Sequence, residues 1–470
     1  MAPIRALLIS ALYCLPGLAQ EPRLADRADA AVARSGVTGG RLGILIYSTE
    51  AKAPVYDRDA KKVLRLASNT KLFTTACAIA KLGPNYQFRT TLAWDDSGDL
   101  HVFGSGDPLI GGRSSIDDPT KLFRDAAARL KEAGKPAFAG RLVVHPGIFD
   151  DIALHPEWIR QGEDQDKWYC APVSGLSFND NCLDLIYEAG AKAGEPVKIT
   201  VRPETRYVSL ENKAETVSTK PKEFGFVRKG GTNHIIARGE LAVGTRPRTV
   251  WVALKDPARY FGTVLRETLA REGVAVTGEV AVEPGLRLEG RHTELLLAEH
   301  SLDDVVKPCN TVSQNLYAEM ILKLLGFRFR EKGSTAAGIE VVQEFLRAEV
   351  GVTDVELIDG CGLARENKAS PESLVALLAY MRKHRHGKAF VESLAVAGVS
   401  GTLKERMEST GGRVRAKTGT IGGVSSLSGY VESPLGETFI FSVVANDWRH
   451  GSPRELQDAL GELMASWKAP

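Results

Sequence analysis

This chain of 470 residues contains two short polar motifs that could act in one reaction. They are separated by 242 positions, counted from Lys71 to Ser313. The first, Ser68-Asn69-Thr70-Lys71, offers a serine and a lysine, and the second, Ser313-Gln314-Asn315, offers a hydroxyl and an amide. If both motifs act in one cleft, residues that are far apart in the sequence must lie close together in the fold. Chains tolerate insertions between residues that lie close in space. The spacing therefore predicts a domain built from both ends of the chain and interrupted by inserted domains.

The first motif predicts a nucleophile with its base. A serine hydroxyl is a weak nucleophile unless a base lies beside it. In a helix, residues i and i+3 share a face, so Lys71 can bring its amine to Ser68. Apolar residues from Leu72 to Ala80 recur with helical period, and Pro84 follows the expected helix end. Ser68 is therefore predicted at a helix N-terminus, where backbone N–H groups favour developing negative charge.

A third motif, Lys417-Thr418-Gly419-Thr420, lies close to the C-terminal end of the chain. Lys417 opens the only Lys-Thr-Gly sequence, and Ser68 is the only serine with a lysine three residues later. Residues 425–432 and 437–445 alternate around a turn at Pro434-Leu435-Gly436, which predicts a β-hairpin directly after the motif. The order and uniqueness of the motifs favour one shared site over three unrelated surface turns.

Composition limits the classes of function. The chain has 60 basic and 58 acidic residues, a net charge of +2, which gives no sign of a nucleic-acid partner. It is too long for one compact core, and 43% hydrophobic with 25% charged residues is typical of globular proteins. No His-Glu-x-x-His or zinc-type cysteine spacing occurs, so we expect no metal and no cofactor.

The first 19 residues predict a signal peptide. Arg5 supplies positive charge, Ala6 to Leu15 are apolar, and Gly17-Leu18-Ala19 gives a small-x-small cleavage pattern. A buried first helix is the alternative. The apolar run is too short to span a bilayer, so we expect an exported periplasmic or extracellular protein with at most peripheral membrane contact. Five cysteines follow Cys14, and Cys170 and Cys182 are the best candidates for a disulfide in an oxidising compartment.

Further sequence blocks carry a resemblance to a known family. The three motifs together are the signature of serine β-lactamases and penicillin-binding proteins. The chain more narrowly resembles the D-alanyl-D-alanine carboxypeptidases/endopeptidases, class C low-molecular-mass penicillin-binding proteins of the DacB type, from about residue 30 to 465. The blocks that carry this are Leu66–Thr74, Gly104–Pro108, Ser313–Glu319, Asp359–Leu363 and Gly401–Arg406. One departure is Cys361, where the family usually has serine.

The resemblance implies an α+β fold. Its catalytic domain would be penicillin-binding/β-lactamase-like, an antiparallel five-stranded sheet with helices on both faces, interrupted by inserted β-rich domains. Glycine and proline punctuate short strand-like runs from about residue 90 to 295, which agrees with such an insertion. The resulting division is 20–93 and 296–470 for the catalytic domain and 94–295 for the inserted domains.

The resemblance also implies a mechanism on peptidoglycan stem peptides. Ser68 would attack the carbonyl between two D-alanines and form an acyl-enzyme, and β-lactams would acylate it as covalent inhibitors. The backbone N–H groups of Ser68 and Thr420 would form the oxyanion hole. Lys71 would be the base, and Ser313 would give a proton to the leaving amine. Asn315 would contact Lys71 and the substrate amide. Lys417, Thr418 and Thr420, which belong to the Lys-Thr-Gly motif with Gly419, would bind the terminal carboxylate.

The sequence signal is weaker for the pocket that would bind the side chain of the stem peptide. Arg365 matches an arginine that in relatives helps to hold a diaminopimelate side chain, and a plain surface arginine is the alternative. Asp164 and Tyr169 lie near a corresponding acidic and aromatic site. Gly422 stands where some relatives have a polar contact, so the pocket can differ in this chain.

Two other functions compete with this interpretation. A class A β-lactamase needs a glutamate-activated water from a Glu-x-x-x-Asn loop between the second and third motifs, and none is present. A catalytically silent cell-wall binding protein of the same fold is the other alternative. Intact Ser68, Lys71 and Lys417 favour an enzyme.

Overall fold

In the computed structural model, residues 23–112, 118–160 and 165–468 are described. The predicted signal peptide and Asp164 lie outside these residues. The helices of the described part are α1 Leu24–Ser35, α2 Thr70–Leu82, α3 Lys121–Glu132, α4 Pro156–Arg160, α5 Pro257–Arg271, α6 Leu302–Thr311, α7 Asn315–Arg330, α8 Thr335–Phe345, α9 Pro371–Lys383, α10 Gly387–Glu392 and α11 Pro453–Ala465. No helix among them is long and apolar enough to cross a membrane.

The strands of the described residues fall into one large sheet near the motifs and several smaller sheets. They are β1 Arg41–Ser48, β2 Ala53–Arg58, β3 Leu64–Arg65, β4 Gln87–Trp94, β5 Leu100–Phe103, β6 Ala137–Phe138, β7 Leu142–His145, β8 Cys182–Glu188, β9 Lys198–Arg202, β10 Ser209–Asn212, β11 Glu215–Val217, β12 Gly225–Arg228, β13 His234–Arg238, β14 Glu240–Ala242, β15 Arg248–Ala253, β16 Ala275–Val276, β17 Val280–Val282, β18 Thr293–Ser301, β19 Lys368–Ala369, β20 Ala395–Val396, β21 Val414–Ile421, β22 Val424–Glu432 and β23 Thr438–Asn446.

The large sheet joins the two ends of the chain. Its order is β2-β1-β23-β22-β21-β20, and all neighbours are antiparallel. Strand β1 pairs with β23, so Arg41 lies opposite Asn446. The predicted five strands are present, and a two-residue sixth strand, β20, is added at the edge beside β21. Its pairing with Arg415 and Ala416 depends on a tertiary contact, which two residues of sequence do not signal.

Helices cover both faces of this sheet, as expected. Strand β1 alternates between them: Leu42, Ile44 and Ile46 belong to a core with α1 and α11, whereas Leu45 belongs to a core with α2, α7 and α9. This alternation is the two-residue period of a strand buried on both sides. The β21 motif therefore has α11 on one side and the helices of the first two motifs on the other.

The inserted region has its own sheets and core. A five-stranded sheet has the order β17-β7-β5-β4-β18, and three-stranded sheets form from β15-β8-β9 and β10-β13-β12. Its apolar core is separate from both cores of the large sheet. The predicted divisions at residues 93/94 and 295/296 pass through β4 and β18, which pair with each other in the inserted sheet. The domain division stays a prediction.

One segment with a continuous helical pattern forms two helices. The sequence from Leu302 to Lys332 has helical pattern throughout, but the chain forms α6 and α7 with a break at Val312, Ser313 and Gln314. Ser313 has a left-handed backbone, with φ of 65°. Such a conformation costs a non-glycine residue about 1–3 kcal/mol and is common at functional sites. The break turns the second motif out of the helix, towards the third.

Candidate active site

Ser68 lies in a tight turn at the start of α2. Residues Ala67–Asn69 form one turn of 3₁₀-helix that leads into α2, and Ala67 has a φ of 48°. Lys71 follows one turn later, and its Nζ lies 3.0 Å from Ser68 Oγ. The sequence prediction that the spacing of three residues brings these two groups together is confirmed.

Lys71 is completely buried and has three oxygen partners. Besides Ser68 Oγ, its Nζ donates to Asn315 Oδ1 at 2.6 Å and to the carbonyl oxygen of Cys361 at 2.7 Å. None of the three is a carboxylate oxygen. The amide of Asn315 also donates through Nδ2 to the carbonyl oxygen of Tyr169 at 2.8 Å. The predicted contact of Asn315 with Lys71 is therefore present, while its Nδ2 donates to a backbone carbonyl of the protein.

The second and third motifs meet through a second buried lysine. Lys417 Nζ donates to Ser313 Oγ at 2.9 Å and to the carbonyl oxygen of Thr418 at 2.9 Å. Burial, together with the nearby charge of Lys71, lowers the pKa of Lys417 well below its ordinary range. Ser313 is thus oriented by an amine on one side and opens to the cleft on the other.

Strand β21 packs directly against the Ser68 turn. Asn69 Nδ2 donates to the carbonyl oxygen of Lys417 at 2.9 Å. A Cβ added to Gly419 would lie 3.0 Å from the backbone nitrogen of Ser68 and would collide with Ser426 Oγ. Only glycine leaves room for this approach. The glycine of the third motif is therefore needed for packing against the nucleophile.

A cleft of about 810 Å³ opens above these groups. Ser68, Ser313, Asn315, Thr418 and Thr420 line it, while Lys71, Lys417 and Gly419 lie buried behind them. Arg365 is exposed and also lines the cleft, and its Nη2 lies 3.7 Å from the place that a Cβ of Gly422 would occupy. All nine predicted site residues thus lie in or directly behind one cleft.

Comparison with known proteins decides the family. The sequence model of the D-Ala-D-Ala carboxypeptidase 3 (S13) family matches residues 24–467. The chain belongs to the S13 family. The D-alanyl-D-alanine carboxypeptidase of Actinomadura sp. (strain R39) is 31% identical to this chain over 469 residues, which is 94% of this chain and 85% of the relative. The D-alanyl-D-alanine carboxypeptidase DacB of Haemophilus influenzae is 25% identical over 441 residues, 88% of this chain and 87% of the relative.

Solved structures agree on the fold of this S13 member. The crystal structure of penicillin binding protein 4 (dacB) from Haemophilus influenzae matches with a TM-score of 0.78 at 22% identity, over 94% of this chain and 99% of that chain. The same protein complexed with a β-lactam matches with a TM-score of 0.71. The predicted family, the α+β fold and the class of enzyme, a serine D-Ala-D-Ala carboxypeptidase, are confirmed.

The sequence motifs did not reveal two groups behind the S13 site. The carbonyl of Cys361 holds Lys71 through the backbone, which no side-chain pattern signals. Glu319 lies one helical turn after Asn315 on the same face of α7, and its Oε1 accepts from the backbone nitrogen of Gly360 at 2.7 Å. Burial and the charge of Asp359 raise the pKa of Glu319 to about 8. The spacing of four residues was the available signal, since it places Asn315 and Glu319 side by side.

Asp359 fixes the loop that carries Cys361. Its two carboxylate oxygens accept from the backbone nitrogens of Cys361, Gly362 and Ala364, from Asn367 Nδ2 and from Trp158 Nε1. One ligand atom each of Glu319, Asp359 and Cys361 lie within 4.8 Å of one another. Because these Asp359 oxygens already accept hydrogen bonds from N–H groups, the cluster is better suited to fixing the loop than to binding a cation. The expected absence of a metal stays a prediction.

The disulfide between Cys170 and Cys182 also stays a prediction. Both cysteines are buried.

Proposed function

We propose that this chain removes the terminal D-alanine from peptidoglycan stem peptides through an acyl-enzyme on Ser68. The observation that carries the proposal is the buried amine of Lys71, 3.0 Å from Ser68 Oγ and otherwise bonded only to neutral oxygens. Such an amine can accept the serine proton as Oγ attacks the peptide carbonyl. The attack breaks the carbonyl π bond and forms the Oγ–carbon bond, with the negative charge on the carbonyl oxygen.

The collapse of this intermediate needs a proton for the leaving nitrogen. Ser313 Oγ, held at 2.9 Å by Lys417, is a second hydroxyl that lines the same cleft as Ser68. We assign it the role of passing a proton to the departing amine, so that D-alanine leaves as a neutral amine and the acyl group stays on Ser68. Water then attacks the ester, and the serine recovers its proton. Backbone N–H groups of Ser68 and Thr420 are the proposed oxyanion donors, each worth about 3–4 kcal/mol of barrier.

The lining of the cleft favours a penicillin-binding enzyme over a β-lactamase. Among the described residues that line the cleft, none is aspartate or glutamate. A class A β-lactamase releases its acyl group with a glutamate-activated water. Without such a carboxylate, hydrolysis of a penicilloyl ester on Ser68 should be slow, and β-lactams should act as covalent inhibitors.

The test is digestion of purified muropeptides by the wild type and by Ser68→Ala. Ser174→Ala is the matched control, because it removes a serine hydroxyl that lines a different cavity. We expect wild type and Ser174→Ala to release D-alanine, and Ser68→Ala to release none. Release by Ser68→Ala at the wild-type rate would refute the proposal. Cleavage of cross-linked dimers in the same digest would measure the endopeptidase activity.

The site of action follows from the substrate. Peptidoglycan lies outside the cytoplasm, so we propose that the chain is exported, with residues 1–19 as signal peptide, to the periplasm or the cell exterior. Contact with a membrane would be peripheral at most, and nucleic acid and cofactors are not expected. N-terminal sequencing of the protein from the periplasmic fraction should give Gln20 as first residue, and an intact Met1 there would contradict the proposed cleavage of residues 1–19.

A further inference from the structure

The charged side chains that line the cleft are all basic. Three arginines line it, Arg365, Arg406 and Arg454, and no carboxylate does among the described residues. Arg406 is buried and is neutralised by Asp458, whose Oδ1 accepts from Arg406 Nε at 2.9 Å and Nη2 at 2.6 Å. Arg365 and Arg454 are exposed, and neither forms an ion pair with another described residue. Two guanidinium charges are therefore available to a ligand.

Arg454 lines the same cleft as the hydroxyls of the third motif. It is the second residue of α11, and Gln457, three residues later on the same helix face, donates through Nε2 to Ser425 Oγ at 3.1 Å. Ser425 lies directly opposite Thr420 in the pairing of β22 with β21. Thr418 and Thr420 share one face of β21, because they are two residues apart in a strand. Arg454 thus approaches Thr420 from the α11 side of the sheet.

The proposed carboxylate subsite needs a cation that Lys417 does not fully supply. Lys417 is completely buried, its Nζ is bonded to Ser313 Oγ and to the carbonyl oxygen of Thr418, and its pKa is lowered well below the ordinary range. The hydroxyls of Thr418 and Thr420 carry no charge. An arginine stays protonated at any physiological pH and presents a fork of donors that fits a carboxylate.

The stability of α11 does not explain an arginine at this position. Arg454 lies in the first turn of the helix, where the macrodipole disfavours cations. Asp458, four residues later, is the acidic residue that an i,i+4 pair would use, and its Oδ1 is bonded to Arg406 instead.

We propose that Arg454 is a specificity-determining residue that binds the C-terminal carboxylate of the peptide, together with the hydroxyls of Thr418 and Thr420. This carboxylate belongs to the residue that leaves, so the inference rests on the proposed peptidase function and extends its substrate-binding set. Arg365, whose Nη2 lies beside Gly422 in the turn that follows β21, would meet the acyl part of the peptide. The two arginines then divide the cleft between the two sides of the scissile bond.

The experiment compares substrates that differ only in that carboxylate. We would measure kcat/KM for a peptide ending in D-Ala-D-Ala and for its C-terminal amide, with wild type, Arg454→Gln and the control Arg365→Gln. Loss of a charge-assisted hydrogen bond predicts a fall of about 10- to 100-fold in kcat/KM of Arg454→Gln for the free acid. The amide should change by less than about threefold, and Arg365→Gln should keep the wild-type preference for the acid.

The inference fails if Arg454→Gln retains the wild-type ratio of acid to amide. It also fails if both substrates decline together, since this is the pattern of a structural defect. A second readout needs no peptide turnover: the rate of acylation by a penicillin and by its methyl ester, followed by intact mass. Loss of the acid preference there supports the role of Arg454 even if no peptide is cleaved, which would count against the proposed function alone.

Discussion

Two regions of the molecule bury a lysine beside a cavity, and they do so in opposite ways. Lys323 is 2% exposed, and its Nζ is paired with the carboxylate of Asp150 and with the carbonyl oxygen of Ile152 at 2.7 Å. Asp150 and Ile152 line a cavity of about 800 Å³. Lys71 is 0% exposed beside the cleft of about 810 Å³, and its three partners are neutral oxygens.

The comparison separates a structural lysine from a chemical one. Cavity volume does not distinguish the two regions, because the two cavities have almost the same size. The partner of the buried amine does. The carboxylate of Asp150 makes Lys323 one half of an ion pair, whereas the neutral partners of Lys71 include the hydroxyl of the proposed nucleophile, Ser68. We therefore expect substitution of Lys71 to reduce acylation and substitution of Lys323 to reduce stability.

The largest effect should come from Lys71→Ala. Loss of the base should reduce the rate of acylation of Ser68 by about 10²- to 10⁴-fold, the usual contribution of general-base catalysis. Stopped-flow or mass measurement of acylation by a penicillin checks this, with thermal unfolding as a control for folding. A Lys71→Ala variant that is folded and acylated at the wild-type rate would remove the distinction between the two lysines.

Lys323→Ala should affect stability instead. The change leaves Asp150, which is 28% exposed, without its cation, and it should lower the free energy of unfolding by about 1–3 kcal/mol. Denaturant unfolding measures this. The acylation rate of the folded fraction should stay at the wild-type value. A loss of acylation comparable with that of Lys71→Ala would show that the paired lysine also acts in catalysis.

Glu319 extends the comparison to pH. The pKa of Glu319 is raised to about 8, from an ordinary value of 4.5, so between these values the folded protein binds a proton that the unfolded chain has released. The free energy of unfolding should therefore fall with rising pH across this window, by up to about 1.4 kcal/mol per pH unit, and level off above pH 8.

Unfolding by urea at pH 5, 6, 7 and 8 tests this assignment. Glu319→Gln has no proton to lose and should show a flatter dependence than the wild type. Glu340→Gln, at an exposed position of α8, should follow the wild-type curve. If Glu319→Gln also ran parallel to the wild type, the assignment of a buried protonated carboxyl would be wrong.

The smallest effect is expected for Cys361→Ser. Burial and the charges of Asp359 and Glu319 raise the pKa of the Cys361 thiol well above its ordinary range, so the thiol stays protonated. Lys71 contacts the carbonyl oxygen of this residue, which serine retains. The value of kcat/KM should change by less than about fivefold, equivalent to 1 kcal/mol. A loss of a hundredfold would mean that the sulfur takes part in catalysis.

Much of the site could be predicted from the sequence, because its residues lie at fixed spacings on regular elements. Ser68 and Lys71 share a helix face, and the gap to Ser313 required a split domain. The break at Ser313 could not be predicted, since the pattern around it is helical and tertiary contacts with Lys417 select the turn. Nor could the carbonyl of Cys361, because any residue carries one, or the approach of Arg454, which depends on how α11 packs on the sheet.

The most direct test of the account is intact-protein mass spectrometry after incubation with a penicillin. The wild type and the control Ser174→Ala should gain the mass of one whole penicillin, persistently and on Ser68, and Ser68→Ala should gain none. A wild-type protein without an adduct, or one that turns the drug over rapidly, would contradict the proposed peptidase with its acyl-enzyme on Ser68.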